Sequence, residues 1–229
     1  MFEGFSQETL DFIWGIRFNN ERSWFEAHKQ DYLDHLYRPM QALCRQVYEE
    51  LGEDCAKRGM IGRVCRIYRD ARRLHGRGPY KDHLWLSIEQ PSDRFAAHPT
   101  FWFELTPEDW SFGLGYYAAR PITMAKLRAR LDRDPQRALR LLTKLDKQGE
   151  FILEGPAYKK ERPAPHPRLA EWYNKKSFSF IHEQALTEEL YTPALAGRLT
   201  DGFRFLFPFY DYLATLDGDP APAGYESQP

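Results

Sequence analysis

The chain has little cysteine, and what it has shows no pairing pattern. Cys44, Cys55 and Cys65 are the only three in 229 residues, and each stands well apart from the next. This excludes a disulfide framework or a C-x-x-C metal site and leaves reduced, apolar thiols, as in a cytoplasmic protein. Long apolar runs are also missing. No stretch approaches the roughly 20 residues of a membrane span, and the opening Met-Phe-Glu-Gly-Phe lacks the regions of a signal peptide. Neither charge sign dominates: 32 Lys and Arg against 33 Asp and Glu leave −1, so any anion site is expected to be local. Repeats and low-complexity tracts are absent. So are a nucleophile elbow, a Walker loop, a dinucleotide fingerprint and a zinc-protease helix, and no motif indicates a metal or cofactor.

What is present is a globular composition, 42% hydrophobic and 28% charged, with an aromatic content of 15% that points to a core built largely from rings. Helical spacing opens the chain. Ser6 is placed to cap a helix to about Phe18, and Asn20 a second carrying Trp24, Phe25, His28, Tyr32 and Leu36. Pro39 begins a third, which Gly52 ends. The period then changes to two in four stretches, 63–69, 83–89, 100–106 and 110–117, with a turn at Pro107-Glu108-Asp109. One-sided alternation with short connections predicts an antiparallel meander packed on one face. Two helices follow, the second capped by Asp134-Pro135. Short strands are expected near 151–153 and 177–181, one or two helical turns at 169–174, and a final helix from Thr192-Pro193 that Pro208 kinks or splits. The expectation is an α+β fold: a central antiparallel sheet of at least four strands with helices from both chain ends packed on it. It forms one domain over residues 1–217, with a loosely ordered tail at 218–229.

Charge gathers in one place. Between Arg63 and His83 lie seven Lys or Arg against two acids, a local balance of +5. Such density repels itself unless something negative sits among it. The glycines and proline between Ala71 and Tyr80 suit an irregular loop, from which guanidinium forks can be aimed at one point.

Several strings resemble an uncharacterised bacterial and fungal family, a domain-of-unknown-function family without an assigned activity. They are Gly4-Phe5, Asn19-Asn20 with Trp24-Phe25, Pro39, Arg66-x-x-Arg69-Asp70-x-Arg72, Pro79-Tyr80-Lys81, Gly113-x-Gly115-Tyr116-Tyr117, and Tyr158, Arg162, His166-Pro167 with Lys175-Lys176-Ser177. They span roughly residues 2 to 215. The chain departs from the family pattern at Arg73-Leu74-His75-Gly76-Arg77-Gly78, where an aromatic and a lysine-rich connector are usual. The resemblance implies the domain extent and no reaction.

Three readings of the charged stretch follow. In the first, Arg66, Arg69, Arg72, Arg77 and Lys81 bind an anionic small molecule bearing phosphate or carboxylate, with Tyr68 and Tyr80 at the wall. Asp70 orients the arginines, and Asp70, His75 and His83 are the catalytic candidates. Arg162, Lys175, Lys176, Trp85 and Trp102 are secondary. In the second, the same patch serves a nucleic-acid or protein partner, which the overall charge does not favour. In the third, Asp70, Asp82, Glu89 and Glu104 neutralise the arginines in a structural network, and function lies elsewhere.

Overall fold

The structure, a computed structural model, describes residues 1–74, 76–92, 98–223 and 225; for Arg73 it describes the backbone alone. The alternating stretches become β1 (Ile61–Val64), β2 (Leu84–Glu89), β3 (Thr100–Leu105) and β4 (Asp109–Gly115), joined by β5 (Ile152–Glu154) and β6 (Ser179–Ala185). They form one antiparallel sheet in the order β1-β2-β3-β4-β6-β5. Its register runs from Ile61 opposite Glu89 to Val64 opposite Leu86 at one edge, and from Ile152 opposite Ile181 to Glu154 opposite Ser179 at the other.

The helices come from both ends of the chain, making the fold α+β. They are α1 (Gln7–Phe18), α2 (Arg22–Ala27), the single turn α3 (Lys29–Asp31), α4 (Arg38–Ala56), α5 (Pro121–Arg133), α6 (Pro135–Asp146), α7 (Ala170–Asn174) and α8 (Ala194–Ala214). By contact, the chain divides into two compact units. The first comprises Met1–Glu89, Trp102–Phe112 and Glu183–Arg204; the second comprises Gln90–Phe101, Gly113–His182 and Phe205–Pro229.

In the first unit the helical spacing of Met40, Leu43, Val47 and Leu51 buries one face of α4, which packs on β1 and β2. Leu84, Leu86 and Ile88 are buried beneath it, each worth about 1.5–3 kcal/mol. Phe5 stacks on Phe103 at 6.1 Å, and Phe112 meets Phe203 edge-on at 5.9 Å. Pro39 lies in the first turn of α4, as its spacing predicts, but no break precedes it. A π-helical turn (Tyr32–Tyr37) leads directly into α4. Proline has no N–H to give the carbonyl four residues back, and that carbonyl, on His35, instead accepts from the buried Thr9 hydroxyl at 2.5 Å. Nor does α4 stop at Gly52, which takes φ 38° as a kink before the helix resumes to Ala56.

In the second unit Asp134 caps α6 by accepting from the Gln136 N–H at 3.2 Å. Buried Trp172 is surrounded by Phe178 and Phe180 at 5.8 and 5.5 Å. The last helix runs through Pro208 unbroken. The hydrogen bond lost there is offset by packing on either side of the proline, where Phe207 and Tyr210 meet Phe101 and Phe209 meets Phe180 at 4.7 Å. Asp219, within the expected tail, is held by Arg130 at 2.7 Å.

The alternation read on 110–117 as one-sided is buried on both faces from Trp110 to Gly115. Gly115 shows why: a Cβ there would lie 2.5 Å from the Cα of Ser179. Gly115→Ala is therefore expected to lower unfolding free energy by about 1–3 kcal/mol in urea denaturation. Gly149→Ala, where a Cβ meets nothing within 4 Å, should stay within about 0.5 kcal/mol of the parent.

Candidate functional site

The charged stretch does not form one strand over 63–69. Pairing with β2 stops at Val64, extended one residue by Cys65 N–H to Trp85 O at 2.9 Å. The chain then pairs with itself: Lys81 N–H donates to Ile67 O and Arg69 N–H to Pro79 O, each at 2.8 Å, with Tyr68 opposite Tyr80. A narrow two-stranded tip results, closed by a 3-10 turn (Ala71–Arg73) that Asp70 caps through the Arg72 N–H.

Aromatic packing and one amide hold the tip down. Buried Tyr80 stacks on Phe25 at 4.3 Å, and Tyr68, partly exposed, meets Phe25 edge-on at 5.7 Å. Asn20, expected to cap α2, does not; Glu21 occupies that position. Its side chain instead clamps the Tyr80 backbone, accepting from the N–H at 2.9 Å and donating to the carbonyl at 3.0 Å. Gly78 allows this, since a Cβ there would fall 2.1 Å from Asn20 Oδ1.

Asp82 then gathers the cations. Arg17, from the last turn of α1, donates to it at 2.6 Å and also reaches Glu108. Arg69 donates to the Tyr80 carbonyl at 2.6 Å and reaches Asp82 at 3.3 Å. Burial alone would raise the pKa of Asp82, but the Arg17 bond and neighbouring charges bring it below the usual value. Glu108 is positioned by the β3–β4 turn, where the Thr106 hydroxyl accepts from the N–H groups of Glu108 and Asp109.

Next to this pair lies an acid–base couple. His83 Nδ1 is 3.4 Å from Asp82 and its Nε2 is 3.7 Å from Glu104 on β3. Burial pushes His83 down, aided by Arg69 and Lys81 and opposed by Asp82. Burial pushes Glu104 up, aided by Asp109 and Glu183. The two proton affinities thus move toward each other, across a gap longer than a direct hydrogen bond. Lys81 donates to the Arg66 carbonyl at 2.5 Å and sits 4.2 Å over the Trp85 ring. Burial lowers its pKa, and Arg66 and Arg69 lower it further.

The remaining candidates are dispersed. Arg72 forks onto Asp70 at 3.0 and 2.8 Å with its side chain 87% exposed. Arg66 and Arg77 are exposed, and neither guanidinium has an ion-pair partner among the described residues. Glu89 pairs with Arg63 at 2.7 Å. Trp102 is half-buried, and His75 lies outside the described residues. Arg162, Lys175 and Lys176 belong to the second unit, where Lys175 is bound to Glu171 and the Gly155 carbonyl, both at 3.1 Å. Burial raises the thiols of Cys44, Cys55 and Cys65 to about 11, so they stay protonated at neutral pH. Among the described residues no cluster of three His, Cys, Asp or Glu is placed to hold a metal, and no helix is long and apolar enough to cross a membrane.

Residues 8–212 match a family described as "Conserved hypothetical protein (DUF2461)". The chain belongs to this family. The DUF2461 match runs from α1 into α8, and the resemblance carried by the motifs is to a family of this kind. No curated protein matches the chain.

Arg17 and its partner Glu108 escaped the sequence reading, because 65 residues separate Arg17 from Asp82 and no local pattern marks the contact. Two outcomes follow from the geometry. Asn20→Ala leaves the Tyr80 N–H without its acceptor and is expected to cost about 1–3 kcal/mol in urea denaturation. His83 binds its proton less well folded than unfolded, so its stabilising contribution is whole above pH 6.5 and is lost as pH falls through the lowered folded value. Glu104 acts oppositely: its contribution is whole below pH 4.5 and fades as pH rises through its raised value. His83→Gln should therefore flatten the fall in stability on acidification below pH 6.5, measured by denaturant titration across pH.

Proposed function

We propose that the protein binds a small phosphate- or carboxylate-bearing anion at Lys81 and Arg66, beside His83 and the Trp85 ring. The observation that carries the reading is the state of the Lys81 ammonium. It is partly buried and repelled by two arginines, and among the described residues it has no carboxylate within ion-pair distance. Among the described residues its one hydrogen bond is to a carbonyl. An arriving anion would relieve that repulsion and engage the exposed Arg66 guanidinium, whose planar fork suits either oxyanion. His83 and Glu104 would supply a proton donor and acceptor alongside. The three free thiols support a cytoplasmic setting.

A second reading, that the stretch is a structural ion-pair network with function elsewhere, is favoured for part of it by Asp82 and Asp70, which engage Arg17, Arg69 and Arg72. It gives Lys81 and Arg66 no role. Nucleic-acid binding through the same patch would instead weaken steeply with salt.

The test is an NMR titration of the Lys81 side chain with inorganic phosphate and, separately, citrate as probes. A bound anion favours the ammonium form, so either probe should raise the Lys81 pKa. Arg66→Gln should raise it without any anion, by removing a like charge, and should weaken the response to the probe. A Lys81 pKa indifferent to both probes would leave the structural reading in possession of the stretch.

A further inference from the structure

The second unit contains a cleft of about 530 Å³ lined by Tyr158, Lys159, Lys160, Glu161, Arg162, Pro163 and Lys176. Its walls are fixed by backbone bonds. Tyr158 N–H donates to Asn174 O at 2.9 Å and Lys176 N–H to Pro156 O at 2.7 Å. The buried Asn174 side chain then ties the other end of the loop, accepting from Arg162 N–H at 2.8 Å and donating to Arg162 O at 3.1 Å. One residue, Asn174, therefore holds a five-residue loop by both ends, through its backbone carbonyl at Tyr158 and its side-chain amide at Arg162. Four of the lining residues are cations and one is an acid, a local surplus in a chain whose net charge is −1.

A fifth cation adjoins the lining through Tyr158. Arg128 lies over the Tyr158 ring at 5.3 Å, and Lys176 lies over the same ring at 5.7 Å. Arg128 Nη1 is shut off from solvent and has no hydrogen-bond acceptor among the described residues, although a buried donor ordinarily finds one. The nearby carboxylate of Asp132 accepts from the Tyr173 hydroxyl at 3.1 Å. The π-face of Tyr158 is already engaged by cations, so the cleft offers positive charge and N–H donors rather than a plane for stacking a base.

We infer that this cleft is a binding site for a compact polyanion, a condensed phosphate chain of two or three phosphates or a small molecule carrying one. Lysines present point charges that tolerate rotation of the chain. Arg162 adds a fork for one terminal phosphate, and the unpartnered N–H of Arg128 sits beside the ring that forms the wall. The site depends on no residue of the Lys81 proposal, so either can fail alone.

The experiment is isothermal titration calorimetry of the full chain with inorganic tripolyphosphate and pyrophosphate. The triple variant Lys159→Gln, Lys160→Gln, Arg162→Gln tests the loop. All three side chains are exposed, and Asn174 is held by the backbone of Arg162 rather than its side chain. Saturable binding of tripolyphosphate is expected, weakened roughly tenfold or more in the triple variant. Glu161→Gln, which removes the one acid, should strengthen it; each titration is repeated in a Lys81→Met background, so that an anion held at Lys81 adds no heat. The inference is overturned if the parent does not bind tripolyphosphate, if the triple variant binds it as the parent does, or if Glu161→Gln does not tighten it. It is also overturned if a single-stranded oligonucleotide binds more tightly than tripolyphosphate, with the steep salt dependence of a strand-binding groove.

Discussion

The first unit turns on one carboxylate. Asp82 receives Arg17 from the end of α1 and Arg69 from the tip that follows β1, and it lies within 3.4 Å of His83. With its side chain 20% exposed, it is shielded enough for charge to matter and open enough to remain ionised. Remove that charge and Arg17 is left to Glu108, while Arg69 keeps a carbonyl and no carboxylate among the described residues. The local surplus of positive charge is thus partly resolved from within, by acids that come from the same stretch and from the β3–β4 turn.

That partial resolution gives the site its character. Arg69 and Arg72 are occupied and Tyr80 is core. Lys81 and Arg66 are left over, one against a tryptophan ring and the other in solvent. Burial lowers the proton affinity of the histidine beside them and raises that of the glutamate. Density of charge in a sequence therefore marks two different things. Some cations brace a loop, and their neighbours, excluded from that bracing by geometry, keep their donors.

Much of the sheet was legible because alternation is a local signal. Leu84, Leu86, Ile88 and Phe101, Phe103, Leu105 lie buried as their period of two requires. The first strand was misplaced for the same reason: Ile67 and Arg69 alternate as a strand would, and nothing nearby shows that their partners are Pro79 and Lys81 rather than β2. Pro208 misled, because aromatic packing on either side of it makes up for the lost hydrogen bond. The cation cluster could be found by counting. Its division into occupied and spare members could not, because Asn20 and Arg17 act across 60 and 65 residues and leave no spacing to read.

The clamp between Asn20 and Tyr80 also bears on the order in which the chain is assembled. The pairing of 67–69 with 79–81 closes a short loop and can form early, whereas docking it onto Asn20 requires ends 60 residues apart to meet. The Tyr80 amide proton is shielded by a side chain rather than by a ladder partner. In deuterated solvent it would therefore be replaced whenever the start of α2 frays, before the strands themselves separate.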